Sequence, residues 1–180
     1  PGFPVHRQQL KVLGQKIESF DVYNYRGDKL KDKLESILSN GNISCMLYSN
    51  PNNPSWICFT EKELQIIGNM CSKYDVIPIE DLAYFAMDFR RDMSEPGFPP
   101  YQPTVAKYTD NYILTISSSK AFSYAGQRIG MMIISDELYD RSYPNLKNYY
   151  TKDLFGHSMI YGSIYSMSAG ISHSAQYALA

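Results

Sequence analysis

Three short apolar segments of the chain are each followed by polar residues that could share one ligand. They are the amide of Asn53, the carboxylate of Asp81 with the phenol of Tyr84, and the hydroxyls of Ser117, Ser118 and Ser119 with the amine of Lys120. A sheet edge needs no such mixture for packing. An aldehyde calls for an amine, a pyridine nitrogen for a carboxylate, a phenolic oxygen for hydrogen-bond donors, and a phosphate for hydroxyls and a guanidinium. Pyridoxal phosphate carries all four groups, which makes Lys120 the candidate for a Schiff-base link. Arg128 follows within Gly126-Gln127-Arg128-Ile129-Gly130. There a guanidinium fork could hold phosphate oxygens in pairs, and flanking glycines let backbone approach closely.

The elements that must position these groups follow from periodicity. Residues 43–49 (ISCMLYS), 76–79 (VIPI), 112–116 (YILTI) and 130–134 (GMMII) are short and apolar and are predicted as buried strands. The second ends in Glu80-Asp81 and contains Pro78, which has no ladder donor to offer. The Asn/Pro cluster at 50–54 turns the chain after the first. Over 28–38, Leu30, Leu34, Ile37 and Leu38 form one helical stripe that Asn40-Gly41 ends. Over 60–74, Thr60 and Glu63 make a capping box ahead of Leu64, Ile67, Cys71 and Tyr74. Four of the ten prolines crowd residues 94–103, which predicts a long irregular loop. Ser135 is placed as the cap of a helix beginning at Asp136, and the Tyr-rich remainder is predicted helical with breaks at Pro144, Gly156 and Gly170.

Strands alternating with helices predict an α/β fold: a central, mostly parallel sheet with helices on both faces, in three α/β/α layers. In such sheets ligands bind outside the carboxyl ends of the strands. That rule brings Asn53, Asp81, Tyr84 and residues 117–120 to one crevice.

Composition narrows the function classes. With 180 residues, 44% hydrophobic and 19% charged, the chain can bury the core of one domain. Seventeen Lys and Arg against eighteen Asp and Glu leave a net charge of −1, so there is no basic field for nucleic acid or an anionic membrane. No apolar run approaches the roughly 20 residues that cross a bilayer. Three cysteines without CxxC pairing predict reduced thiols and a cytoplasmic setting. His157 and His173 lack metal-ligand spacing with His6 or the cysteines and are assigned to polar turns, so no metal is expected. The chain opens on Pro1 without a Met and closes on a helix-like run, 174–180, and its sixteen tyrosines exceed what a small core requires. A piece of a longer protein is expected.

Four segments give the sequence its resemblance to the fold-type I pyridoxal phosphate enzymes, and within them to the class I/II aminotransferases. Asn50-Pro51-Asn52-Asn53-Pro54-Ser55 resembles the family's N-P-x-N-P-T-G, and Asp81-Leu82-Ala83-Tyr84 its D-x-A-Y. Ser117-Ser118-Ser119-Lys120 with Gly126, Arg128 and Gly130 resembles S-x-S-K followed by G-x-R-x-G, and Pro1-Gly2-Phe3-Pro4-Val5-His6 is similar to the segment that supplies a ring-stacking aromatic and a His.

The resemblance implies a role for each position. Phe3 stacks on the pyridine ring, Asn53 and Tyr84 donate to its phenolic oxygen, Asp81 keeps its nitrogen protonated, and His6 orients Asp81. Ser117, Arg128 and Ser119 bind the phosphate. Lys120 forms the Schiff base and moves a proton on the substrate. It further implies a homodimer that transfers an amino group between an amino acid and a 2-oxo acid. Residues 1–180 would then be the central part of the cofactor-binding large domain, and inactive alone without the phosphate loop before it and the small domain after it.

The sequence departs from the pattern at Ser55-Trp56, where the family has Thr-Gly. A carbon-sulfur or other β-eliminating lyase would keep every residue named. A non-catalytic, aminotransferase-like sensor domain of a transcription regulator stays open as well. Each position also has a plain structural use: Lys120 as a solvated lysine, Asp81 as a helix cap, Arg128 as an ion-pair partner, and Phe3 as core filler.

Overall fold

The computed structural model describes residues 2–95 and 97–180. Pro1 of the opening motif and Pro96 of the proline-rich loop lie outside the described residues. Along the chain come α1 (Pro4–Val12), a 3-10 turn at Val22–Tyr25, α2 (Lys29–Leu38), β1 (Cys45–Ser49), α3 (Glu61–Lys73) and β2 (Ile77–Leu82). There follow β3 (Ile113–Ser117), α4 (Ser118–Ala121), β4 (Gly130–Ile134), α5 (Asp136–Tyr139) and α6 (Phe155–Ser158). A π-helical stretch Met159–Tyr165, α7 (Ser166–Ser168) and α8 (His173–Tyr177) complete it.

The sheet runs β1-β2-β3-β4. The first three strands are parallel, in the register Leu47↔Ile79↔Ile113, and β4 is antiparallel to β3, with Ser117 opposite Gly130. The linker explains the reversal. Between Ser117 and Gly130 stand one helical turn and one 3-10 turn, too little for the crossover that a further parallel strand requires. An α/β fold around a mostly parallel sheet is what forms, with one strand turned back.

The capping box at Thr60 is complete. Thr60 Oγ1 accepts from Glu63 N at 3.2 Å, and the Glu63 carboxylate accepts from Thr60 N at 2.9 Å. The same carboxylate accepts from Arg26 Nε at 2.6 Å, Arg26 Nη2 at 2.7 Å and Gly27 N at 2.8 Å, which ties the approach to α2 onto α3. Burial pushes the Glu63 carboxyl up, but the Arg26 guanidinium and the backbone donors overcome it and hold it at about 2. Behind the box, Leu30, Leu34, Ile37 and Leu38 of α2 pack with Leu64 and Ile67 of α3, and with Val76, Leu82 and Leu114, in one core. Tyr108 crosses α3 at Gly68, where an added Cβ would lie 2.8 Å from the Tyr108 carbonyl oxygen, so only glycine allows the approach.

Strand β2 runs further than the sequence indicated, taking in Glu80, Asp81 and Leu82. Pro78 does not interrupt it. Ile77 N donates to Ser44 O at 3.0 Å, so odd-numbered groups face β1 and even-numbered ones face β3. The missing donor of Pro78 thus points to the β3 side just before that ladder begins at Ile79↔Ile113. Because successive strand residues point to opposite faces, Glu80 turns into the core under α2 and α3. Asp81 turns to the other face, where His6 of α1 reaches it.

Past β4 the expectations need correction. Ser135 precedes α5, but its Oγ accepts from Tyr112 N at 3.2 Å and makes no cap hydrogen bond. Pro144 opens a 3-10 turn, where a fixed φ is an advantage, and does not break a helix. Gly156 lies inside α6, pressed against the Tyr139 ring. His157 and His173 sit in helices and pack on tyrosine rings, 4.5 Å from Tyr161 and 4.6 Å from Tyr177 between centroids. Among the described residues no helix is long and apolar enough to cross a membrane.

Candidate active site

Asp81 is the penultimate residue of β2, one position inside the strand and not beyond its end as the sequence indicated. Its Oδ2 lies 3.3 Å from His6 Nε2 and accepts from Ser49 Oγ at 3.1 Å, while Oδ1 accepts from Ala83 N at 3.0 Å. Ser49 is there because β1 and β2 pair Ser49 with Asp81. Burial pushes the Asp81 carboxyl up, and the hydrogen bonds from His6, Ser49 and Ala83 outweigh it, leaving it below its ordinary value. The group therefore stays ionised at neutral pH, as a partner for a protonated ring nitrogen must. Phe3 occupies the N-cap of α1 with its ring edge-on to His6, 5.5 Å between centroids. Of the two residues predicted from the opening motif, His6 reaches Asp81 and Phe3 reaches His6.

Tyr84 follows β2 in a turn closed by Phe85 N donating to Leu82 O at 3.0 Å. Lys120 is carried by α4, a single helical turn that starts when the Ser117 hydroxyl accepts from Ser119 N at 3.1 Å. Its Nζ stands 5.9 Å from the centre of the Tyr84 ring, exposed to solvent. Ser118 points elsewhere. Its Oγ donates to Ile129 O at 2.7 Å and pins the glycine-flanked segment beside α4.

Glycine is required at only one end of that segment. A Cβ on Gly130 would lie 2.7 Å from Ile116 O, whereas one on Gly126 would meet nothing within 4 Å. Arg128 takes the left-handed conformation, and its Nη1 donates to Ala125 O at 2.9 Å, folding the guanidinium onto its own turn. Asn53 is half-buried and, among the described residues, makes no side-chain hydrogen bond. Its loop reaches the site through Trp56, whose ring meets the Tyr84 ring edge-on at 5.3 Å.

Two further residues shape the site without having been singled out. Asn50 is buried, donates from Nδ2 to Glu80 Oε1 at 2.9 Å and accepts at Oδ1 from Phe59 N at 3.1 Å. This closes the loop that carries Asn53 and Trp56. Glu80 Oε2 accepts from Val105 N at 2.8 Å. Burial pushes the Glu80 carboxyl up to about 7 against those two donors. The signal was present: a carboxylate beside Asp81 in an apolar strand must face the core if Asp81 does not, and buried carboxylates have partners.

The carboxyl ends of β2 and β3 thus hold an ionised carboxylate backed by a histidine, a phenol, a hydroxyl and an exposed amine. Residues 1–160 match the model of the family described as aminotransferase class I and II. The chain belongs to that family. Histidinol-phosphate aminotransferase of Brevibacillus brevis is 36% identical to it over 89 residues, 49% of this chain and 22% of that protein. Cystathionine beta-lyase of Corynebacterium glutamicum is 26% identical over 149 residues, 82% of this chain and 38% of that enzyme. An amino transferase from Eubacterium rectale, known by crystal structure, superposes with a TM-score of 0.61 at 26% identity, covering 78% of this chain and 34% of that one. This chain therefore spans between about a fifth and two fifths of the length of these relatives.

The class I and II aminotransferases work with pyridoxal phosphate, and the donor set suits it. A carboxylate held ionised suits its ring nitrogen, and an amine free of any ion pair among the described residues, with the Tyr84 ring beside it, suits its aldehyde.

Proposed function

We propose that the chain is the central part of the cofactor-binding domain of a pyridoxal phosphate-dependent aminotransferase, moving an amino group between an amino acid and a 2-oxo acid. The observation that supports this best is Asp81: a partly buried carboxylate kept ionised by His6, Ser49 and Ala83, at the sheet end where Lys120 and Tyr84 meet. When bound, pyridoxal phosphate supplies an electron sink for the bond broken at the substrate Cα. Asp81 would hold the proton on the ring nitrogen, with His6 and Ser49 fixing its orientation. Phe3 would lie against the ring, Asn53 and Tyr84 would donate to the phenolic oxygen, and Ser117, Ser119 and Arg128 would hold the phosphate, Arg128 after swinging off Ala125 O. Lys120 would anchor the cofactor and, once its Nζ is free, move a proton at the substrate Cα. The working enzyme would be a cytoplasmic homodimer with the remaining length of its relatives.

The test is spectroscopic. Pyridoxal phosphate added to the chain should give an absorption band near the visible edge that is absent in Lys120→Ala. A band of equal strength in that variant would assign the cofactor to another lysine and end the reading. Likeness to the Corynebacterium enzyme favours a second reading, a β-eliminating lyase. In a longer protein containing this chain, release of pyruvate and ammonia from amino acids with no 2-oxo acid supplied would select it.

A further inference from the structure

Trp56 stands at φ 56°, in the left-handed region that glycine enters freely and a bulky residue enters at a cost. Burial does not compensate for that cost, because the residue remains 41% exposed. Its indole lies edge-on to Tyr84 and stacks on Phe89, 6.1 Å between centroids and 16° between planes, and Phe89 is itself 78% exposed. Tyr84 is the ring 5.9 Å from Lys120 Nζ. A wall of three aromatic rings therefore leads outward from the amine, and its two outer members face water. Strain and exposed apolar area at one place point to a site and not to packing. Of the two arginines that follow Phe89, Arg90 donates to both Asp88 oxygens, at 2.8 and 2.7 Å, and Arg91 lies on the surface shared with Glu61 and Tyr108.

The geometry points to Trp56 and Phe89 as the surface that receives the substrate side chain, and to an aromatic or large aliphatic amino acid, with its 2-oxo acid, as the substrate class. The inference rests on Lys120 being the reacting amine, as proposed above. An apolar side chain laid on this wall removes both itself and the exposed ring faces from water. A side-chain carboxylate would be desolvated against indole, with Arg90 committed to Asp88.

Trp56 is the only tryptophan of the chain, so its emission reports on this wall alone. The experiment incubates the 180-residue chain with pyridoxal phosphate, records the Lys120-dependent band, and titrates with phenylpyruvate, the 2-oxo acid of leucine, pyruvate and 2-oxoglutarate. The leucine-derived acid and phenylpyruvate are expected to change the emission and to bind about tenfold more tightly than the other two, the scale set by a few apolar carbons. Phe89→Ala, which keeps the reporter, should cut that preference to about twofold. Trp56→Gly, whose backbone suits the position, should do the same when binding is read by calorimetry. Equal affinity for all four acids, or tighter binding of 2-oxoglutarate, with the band in place overturns the substrate class and leaves the cofactor reading standing. Absence of the band overturns both.

Discussion

Glu80 and Asp81 are neighbours on one strand and live in opposite surroundings. Glu80 faces the core under α2 and α3, fully buried, and desolvation prevails over two hydrogen-bond donors so that its carboxyl rises to about 7. Asp81 faces α1, which buries none of its own residues, and there the donors prevail over desolvation. The packed face uses a carboxyl to fasten loops and loses free energy whenever the charge is present. The open face keeps a charge ready for a ligand and contributes little to holding the fold together.

If that division is correct, the largest effect on stability should come from the packed face. Leu64 is wholly buried between α2 and the sheet. Leu64→Ala is expected to cost about 4 kcal/mol, read as a fall in the denaturant midpoint. The cofactor band per folded molecule should stay as it was. A large loss of band at unchanged stability would erase the distinction between the faces.

The next effect separates the two carboxyls by pH. The folded value of Glu80, about 7, stands above its ordinary value of 4.5. The folded chain thus binds that proton more tightly than the unfolded one. Its contribution to stability is full below about pH 4.5 and is lost as pH rises through about 7, by at most about 3 kcal/mol. Melting curves at pH 5 and pH 8 should show the native chain losing ground to Glu80→Gln at the higher pH. Parallel behaviour of the two proteins would mean that Glu80 is ionised throughout.

The same contrast explains what the sequence revealed. The capping box of α3 was legible because Thr60 and Glu63 act within one turn, and the residue types of the site were legible because each chemistry has few candidates. Arrangements that depend on register were not. Nothing in GMMII indicates direction, so the reversal of β4 came from the shortness of the linker after Ser117. Asp81 was expected beyond its strand, and only the extension of β2 to Leu82 assigns it a face, a partner in Ser49 and a neighbour, Glu80, on the other side. The link from Asn50 to Glu80 joins residues thirty apart and follows from pairing that no local pattern encodes.

A smaller effect tests the open face directly. His6→Ala removes the 3.3 Å partner of Asp81. The Asp81 carboxyl should then titrate higher, which carbon-detected NMR of the side chain can follow. Because its folded value is depressed, the stability at stake is present above the ordinary carboxyl range and is lost as pH falls through the folded value. The expected loss at neutral pH is about 1 kcal/mol. An unmoved Asp81 titration would show that Ser49 and Ala83 suffice and that His6 is incidental.

The smallest effect on stability should accompany the largest effect on the proposed chemistry. Lys120 is exposed on a one-turn helix, and its ammonium has only the Tyr84 ring at 5.9 Å as a neighbour among the described interactions. Exposed substitutions away from caps and cores change stability little, so Lys120→Ala should unfold at the native midpoint. Should it melt earlier, the amine would be holding Tyr84 and the turn after β2 in place, and loss of the band would report a disturbed pocket. If it melts with the native chain and the band is gone, the missing amine itself is responsible, and the open face carries chemistry that the packed face merely positions.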